Sequence, residues 1–513
     1  MADVKQAQTI AASFKERFGQ LAPEIEEAQK EAQSELGFDL LQPGSTAQAG
    51  LAVENSLVAA SINTRMVIAT FVEDRAKADA FLAEKFQKAL NVKTPPKVEK
   101  AGEVELKVLS KSADEKIVWA YNGKLLVIGM QPGKEQVLPG TPADVAKIVG
   151  DIVKPGKKDP AQSLASNAMF KKVRTTFGKD YPIQVALNVT PELLKEAEAA
   201  AKSDEEKKGL EWVKKNADGF GIGVKGSETS LHVRGMLSTT SAYTATIKAI
   251  NEGVTKSVFP GFATDKSLLV LRSGFNFEKA WPLYQTTLPK EQVEQMQAMF
   301  KQNSEKLGMS FEDDVVKNYT GNAGVYFYGL DMMKAMMAFQ TKNMPAILQS
   351  LHLAIGLQFK DAKKLNTLVD KILELAKAQE MALESSEKDG IRTIALPDGA
   401  GSVYIKEGAV VLATPLVTGD KIAALFAGKE PKLTSELGKP FAEAAPTNGL
   451  FVNVQQIASL IPGGGGMPQL EAVKQIKEAS LTVDANDSGM FADLQIALTP
   501  PAPKAPAGDA PKK

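Results

Sequence analysis

The residues whose types and spacing could support chemistry are few, and the sequence around each favours a plainer reading. Gly221-Ile222-Gly223-Val224-Lys225-Gly226 matches GxGxxG, in which glycines let a backbone approach a pyrophosphate at a helix N-terminus. That chemistry needs a strand before the glycines and a helix after them. Here a helical stretch precedes, and the alternating stretch from Thr229 to Leu237 follows, so the glycines are expected in a strand and its turn. Asp484-Ala485-Asn486-Asp487-Ser488-Gly489 copies the opening of a calcium loop, but its twelfth position is Gln495 and strand-like stretches flank it. A hairpin turn is the expectation.

Only two histidines exist, His232 and His352, each in a strand-like Ser-Leu-His, so no histidine-rich metal cluster can form. There is no GxSxG elbow and no Walker A pattern. Glu312-Asp313-Asp314 is the densest acidic cluster, and two carboxylates can in principle divide acid and base roles, which leaves a carboxylate-dependent hydrolase as the remaining enzymatic reading. A helix start or a solvated turn explains the cluster more simply. No catalytic residue, metal ligand or cofactor is assigned.

Methionine supplies the candidate site. Eight of the 16 methionines lie between positions 296 and 344. Asp331 can cap a helix in which Met332, Met333, Met336, Met337 and Phe339 share one broad face, ended by Met344-Pro345. Flexible, polarizable thioethers make an adaptable apolar surface suited to lipid chains, hydrophobic peptides or partner helices. Copper is disfavoured without neighbouring His or Cys. The competing expectation is that this helix fills the core, as amphipathic methionine helices commonly do.

The elements that must position such a site belong to an ordinary globular chain. Its 513 residues are 44% hydrophobic and 24% charged, enough for several cores. Sixty-one basic and 61 acidic side chains balance to zero, so no global positive field gathers nucleic acid. No apolar run reaches the length of a membrane span. The absence of cysteine excludes disulfides, zinc fingers and thiol catalysis.

Comparison of the two halves shows a repeated order of elements. Leu36-Gly37-Phe38 leads after thirteen residues to Gly50, and Leu307-Gly308-Met309 leads at equal spacing to Gly321, an offset of 308 − 37 = 271. An apolar strand then meets a helix-opening Asp, at Asp74 and Asp361, an offset of 361 − 74 = 287. A hairpin follows in each half, turning at Asn122-Gly123 and at Glu407-Gly408. Next come helices opened by Thr141-Pro142 and by Thr418-Gly419, and the strands Ile183 to Val189 and Leu450 to Val454. Alternating strands close both halves. The second half thus carries about sixteen extra residues, by the difference of those offsets, and they are the methionine-rich segment.

The expected fold class is α+β, with two tandem repeats, each a mainly antiparallel sheet with helices packed on one face. The first repeat is expected over 1–255 and the second over 256–500, joined near Phe259-Pro260-Gly261, with a disordered Pro/Ala/Lys tail over 501–513. The second repeat opens with Leu268-Leu269-Val270-Leu271, for which the first has no equivalent after Met1. Either the first repeat is naturally shorter, or an opening strand and an export signal lie upstream.

The layout resembles a largely uncharacterised group of exported or lipid-anchored bacterial envelope proteins built from two such units. Leu36-Gly37-Phe38-Asp39-Leu40, the Tyr121-Asn122-Gly123 hairpin and Phe491-Ala492-Asp493-Leu494-Gln495-Ile496 carry the resemblance. It implies a periplasmic or envelope location with the signal, and with it a lipid anchor, removed; a cytoplasmic location is the other reading. It implies no site residues. The leading functional expectation is a non-enzymatic binding or scaffold protein acting through protein–protein contacts. A carrier or chaperone for lipid or hydrophobic peptide ranks second and a hydrolase third.

Overall fold

The computed structural model describes residues 45–52, 57–62, 65–131, 144–154, 167–288, 290–381, 383–461 and 468–500, with 8 and 30. The Leu36-Gly37 marker, Thr141, the Gly463–Gly466 run and the tail lie outside these residues. The chain is α+β with mainly antiparallel sheets, and it divides into two compact units, one made of the residues up to Thr240 together with those from Pro500 and the other covering Ser241–Thr499.

In the first unit, β1 (Leu57–Ile62), β2 (Arg65–Phe71), β3 (Lys97–Ala101), β4 (Val104–Ser110), β5 (Lys116–Asn122) and β6 (Leu125–Gln131) form an antiparallel sheet. Its strand order is β1-β2-β6-β5-β4-β3. The loop between β5 and β6 is Gly123-Lys124, with the positive φ at Gly123 that a tight hairpin needs. Between β2 and β3 runs α1 (Arg75–Leu90), started by the Asp74 carboxylate, which accepts from the Lys77 N–H at 3.1 Å.

Both faces of this sheet are covered, a departure from the one-face expectation. Ile117, Trp119, Leu126 and Ile128 pack with Leu82 of α1, whereas Val118, Ala120 and Val127 pack with Val145 and Val149 of α2 (Val145–Val153). The unbroken apolar runs of β5 and β6 carry this signal, because a strand buried on both sides has no polar alternate. Asp144, accepting from the Ala146 N–H, caps α2.

The rest of the first unit comprises α3 (Ala168–Phe177), β7 (Ile183–Asn188), α4 (Pro191–Ala200), α5 (Asp204–Asn216), β8 (Ala217–Ser227) and β9 (Ser230–Thr239), with the strands paired β7-β8-β9. The GxGxxG glycines lie in β8 as expected. A Cβ at Gly219, Gly221 or Gly223 would collide with Met169, Val173 or Tyr181, so the glycines allow a helix to pack closely on the sheet.

The second unit begins with α6 (Ser241–Asn251), β10 (Leu269–Ser273), α7 (Phe277–Thr287), α8 (Lys290–Leu307) and β11 (Tyr319–Leu330). It continues with α9 (Met332–Gln340), α10 (Met344–Gln349), β12 (Leu351–Phe359), α11 (Ala362–Ala378), β13 (Ser385–Lys388), β14 (Ile391–Ala395), β15 (Ser402–Lys406), β16 (Ala409–Ala413) and α12 (Gly419–Phe426). It closes with β17 (Gly449–Val452), α13 (Val454–Ser459), α14 (Pro468–Val473), β18 (Ile476–Asn486) and β19 (Gly489–Leu498). Strands β11-β12-β16-β15-β14-β13 follow the same order as the six strands of the first unit. As predicted, Asp361 caps α11 and Thr418 caps α12. Val454, read as the end of a strand, instead enters α13 behind the Asn453 cap.

Strand β10 lies between β11 and β17 and is antiparallel to both, and β17-β18-β19 continue the pairing. Phe259 and Phe262, near which the junction was expected, are fully buried in the second unit's core with Tyr326, Phe441, Ile422 and Leu425. Phe259 packs where a Cβ on Gly356 would stand.

Candidate functional site

The extra segment of the second unit is an elaborated hairpin tip. In the first unit, β1 and β2 pair up to Ile62 and Arg65 and leave two residues between them. In the second, β11 and β12 pair up to Leu330 and Leu351, and residues 331–350 hold α9 and α10. The Asp331 N–H donates to the Ser350 carbonyl at 2.8 Å and closes the base of this excursion.

Local chemistry builds the helix pair. The Asp331 carboxylate caps α9 by accepting from the Lys334 N–H, and Lys342 at φ 52° turns the chain out of it. Pro345, expected to end the first helix, sits instead in the first turn of α10 behind the Asn343 cap and opens this second helix. The Gln349 side chain donates to the Asp398 carbonyl at 3.1 Å and ties α10 to the loop between β14 and β15.

The buried side of α9 consists of Ala335 and Ala338, while Met333, Met336, Met337, Phe339 and Met344 are 53–75% exposed. Met332 is half-buried. Small residues therefore face the protein and thioethers face outward, the reverse of a helix that fills a core. Leu348 adds a further exposed apolar side chain. His352, at the start of β12, is held below its ordinary value by burial and by the Lys421 cation, with Asp331 opposing. Its neutral form leaves the hairpin base without added positive charge.

A second apolar surface, absent from the sequence reading, crosses the second unit's sheet. Register places Leu494, Leu481, Leu450, Leu271, Val325, Ile355 and Leu412 side by side on seven strands, a row of roughly 29 Å at ordinary strand spacing. Leu494, Leu481, Leu271 and Leu412 are 37–45% exposed. One residue along, the row Phe451, Val270, Tyr326, Ala354 faces the opposite way and is fully buried. Its sequence trace is confined to the alternation within single strands such as those that close the second half, because a row across strands has no spacing along the chain.

The polar candidates occupy other places. Glu312, Asp313 and Asp314 lie in a single π-helical turn, Phe311–Val316, where Lys317 bridges Asp313 at 2.7 Å and Lys364 bridges Asp314 at 2.7 Å. The Lys317 hydrogen bond holds the Asp313 carboxyl below its ordinary value. Asn486 Oδ1 accepts from the Ser488 N–H in the β18–β19 turn, and Asp487 pairs with Lys248, so the calcium-like motif forms a hairpin loop. His232 and His352 sit in strands, His232 beside the Tyr181 hydroxyl at 3.1 Å. Among the described residues no group of three or more His, Asp or Glu is placed to hold a metal ion.

No protein-family description matches this sequence, and no curated protein is significantly similar to it. One solved structure, "Structure of crystal form I of TP0453", is similar over 47% of this chain and 78% of that one, at 10% identity and a TM-score of 0.22. Among the described residues no helix is long and apolar enough to cross a membrane.

Proposed function

We propose that this chain is a non-enzymatic binding protein of the bacterial cell envelope that engages a protein partner through the methionine surface of α9 and α10. The observation that supports it is the outward placement of Met333, Met336, Met337 and Phe339 on a helix whose buried face is alanine, with Met344 exposed at the start of the helix that follows. Exposed thioethers in that number lose apolar hydration on docking and adapt to the side chains they meet. The tip of a paired hairpin presents them on a fixed base, which lowers the ordering cost of association.

A photo-crosslinking residue at position 337, with one at the exposed turn residue Asp389 as control, tests this in the native host. The expected result is a single protein adduct at position 337 that Met333→Lys and Met344→Lys abolish while circular dichroism stays unchanged. An adduct indifferent to those substitutions would sink the proposal.

The half-exposed leucine row favours a second reading, a carrier for a lipid chain or hydrophobic peptide. Native mass spectrometry separates the two. Co-purifying lipid lost on Leu271→Asn would support the carrier.

A further inference from the structure

The helix pair at the β11–β12 tip carries its exposed apolar side chains at helical spacing. Met333, Met336 and Met337 stand at i, i+3 and i+4 on α9, and Met344 and Leu348 at i and i+4 on α10. They form two short ridges on adjoining helices, and α9 spans roughly 13 Å at the ordinary helical rise. A ridge of that spacing fits between the side chains of another helix.

The helix ends of the excursion are paired internally. The Asp331 and Asn343 side chains accept from the Lys334 and Ala346 N–H groups, and the N–H groups of Thr341, Lys342 and Asn343 donate to the carbonyls of Met337, Phe339 and Ala338. Docking here therefore rests on side chains, and a segment pressed onto thioethers has to satisfy its own N–H and C=O groups. An α-helix does that within one segment, whereas a lone extended strand leaves its main chain unpaired against an apolar surface.

Charge marks the flanks. Residues 331–350 hold two lysines, Lys334 and Lys342, and one acid, Asp331. The Asp331 carboxylate is engaged as the α9 cap and lies 3.7 Å from the Lys334 ammonium. By helical spacing Lys334 borders the methionine ridge, and Lys342 follows the end of α9; both are exposed. At the base of the excursion, the cations of Lys421 and Lys334 bear on His352 against the single carboxylate of Asp331.

We infer, on the reading that α9 and α10 dock a protein, that the docking element is an amphipathic α-helix of about two to three turns whose apolar stripe is flanked by acidic residues. Its stripe packs on Met333, Met337 and Met344, and its carboxylates meet Lys334 and Lys342 at the rim. Charge at a rim steers the encounter and selects the partner more than it adds affinity.

Three labelled probe peptides test this on the full chain. Each carries leucine at i, i+3, i+4 and i+7 of an alanine-rich helix; one has glutamate at the flanking positions, one has lysine there, and one has the glutamates with a central proline. The glutamate peptide is expected to bind saturably, one to one, and at least about tenfold more tightly than either of the others. Its advantage over the lysine peptide should shrink as salt rises. Lys342→Glu alone should narrow that preference, and Lys334→Glu with Lys342→Glu should reverse it, with circular dichroism unchanged.

No saturable binding, equal binding of the lysine or the proline peptide, or a preference untouched by both variants would overturn the inference. So would self-association of the chain through this surface, or its uptake by phosphatidylglycerol vesicles, that the glutamate peptide fails to displace. The crosslink at position 337 keeps the two readings apart. An adduct retained alongside a failed peptide preference removes only the acidic helix, whereas loss of the adduct removes the docking surface as well.

Discussion

The indole N–H of Trp119 donates to the Asp79 carboxylate at 3.0 Å, joining a fully buried strand residue of β5 to a residue of α1. The same carboxylate accepts from the Tyr121 hydroxyl at 2.7 Å and from the Lys107 ammonium, so strands β4 and β5 and the helix share one polar anchor. Asp79→Ala leaves the buried indole N–H unsatisfied and should destabilise the protein by about 1–3 kcal/mol, read from urea unfolding. Lys107→Ala removes a partly exposed ion pair and should cost less.

The same anchor sets an acid response. Burial pushes the Asp79 carboxyl up, but hydrogen bonds from Lys107, Trp119 and Tyr121 outweigh it and hold the group below its ordinary value of 3.8. The unfolded chain therefore takes up this proton first as pH falls. Its stabilising contribution is complete above the ordinary carboxylate range and is lost as pH drops through 3.8 toward the lower folded value. Urea midpoints should be flat from pH 7 to 5 and fall below that, and Asp79→Asn should flatten the acid limb. An unchanged limb in the variant would assign it to other groups, such as Asp144, which is lowered by Lys116.

Gly50 and Gly321 take positive φ, 71° and 91°, where a Cβ would collide with the carbonyl of Asp74 and of Phe275. Gly50→Ala or Gly321→Ala should cost more than 2 kcal/mol, as a backbone oxygen cannot yield as a flexible side chain does; Gly102→Ala, with equal φ strain and open space, should cost about 1 kcal/mol. Equal effects at Gly50 and Gly102 in thermal unfolding would contradict the collision.

Hydroxyl-radical or peroxide footprinting should oxidise Met333, Met337 and Met344 well before Met169 and Met236, which are almost fully buried. Protection of the first three in the isolated protein would place α9 and α10 against another surface and remove the basis of the proposed docking face.

Much of the architecture was legible in the sequence because it is written in local chemistry. Asp74 and Asp361 announce helices since a carboxylate before a periodic run satisfies orphan N–H groups, and Gly123 and Gly408 announce hairpins since a tight turn between two apolar strands needs the positive φ that glycine supplies. The GxGxxG and calcium-like motifs were read as strand and turn because their flanks contradicted the chemistry, and their places in β8 and at the β18–β19 turn match. The methionine helix was legible in its Asp331 cap and its periodicity, and the side it turns to solvent was not.

Tertiary structure decided the rest. The face that α9 turns to solvent depends on which side chains find a partner: Ala335 and Ala338 did, and the methionines did not, although helical periodicity is the same in either case. Helix coverage of both faces of the first sheet follows from where α1 and α2 return to it. The row from Leu494 to Leu412 exists only because strands far apart in the chain align in one register. Sequence fixes what each segment can bury, whereas packing determines which of those surfaces remains uncovered.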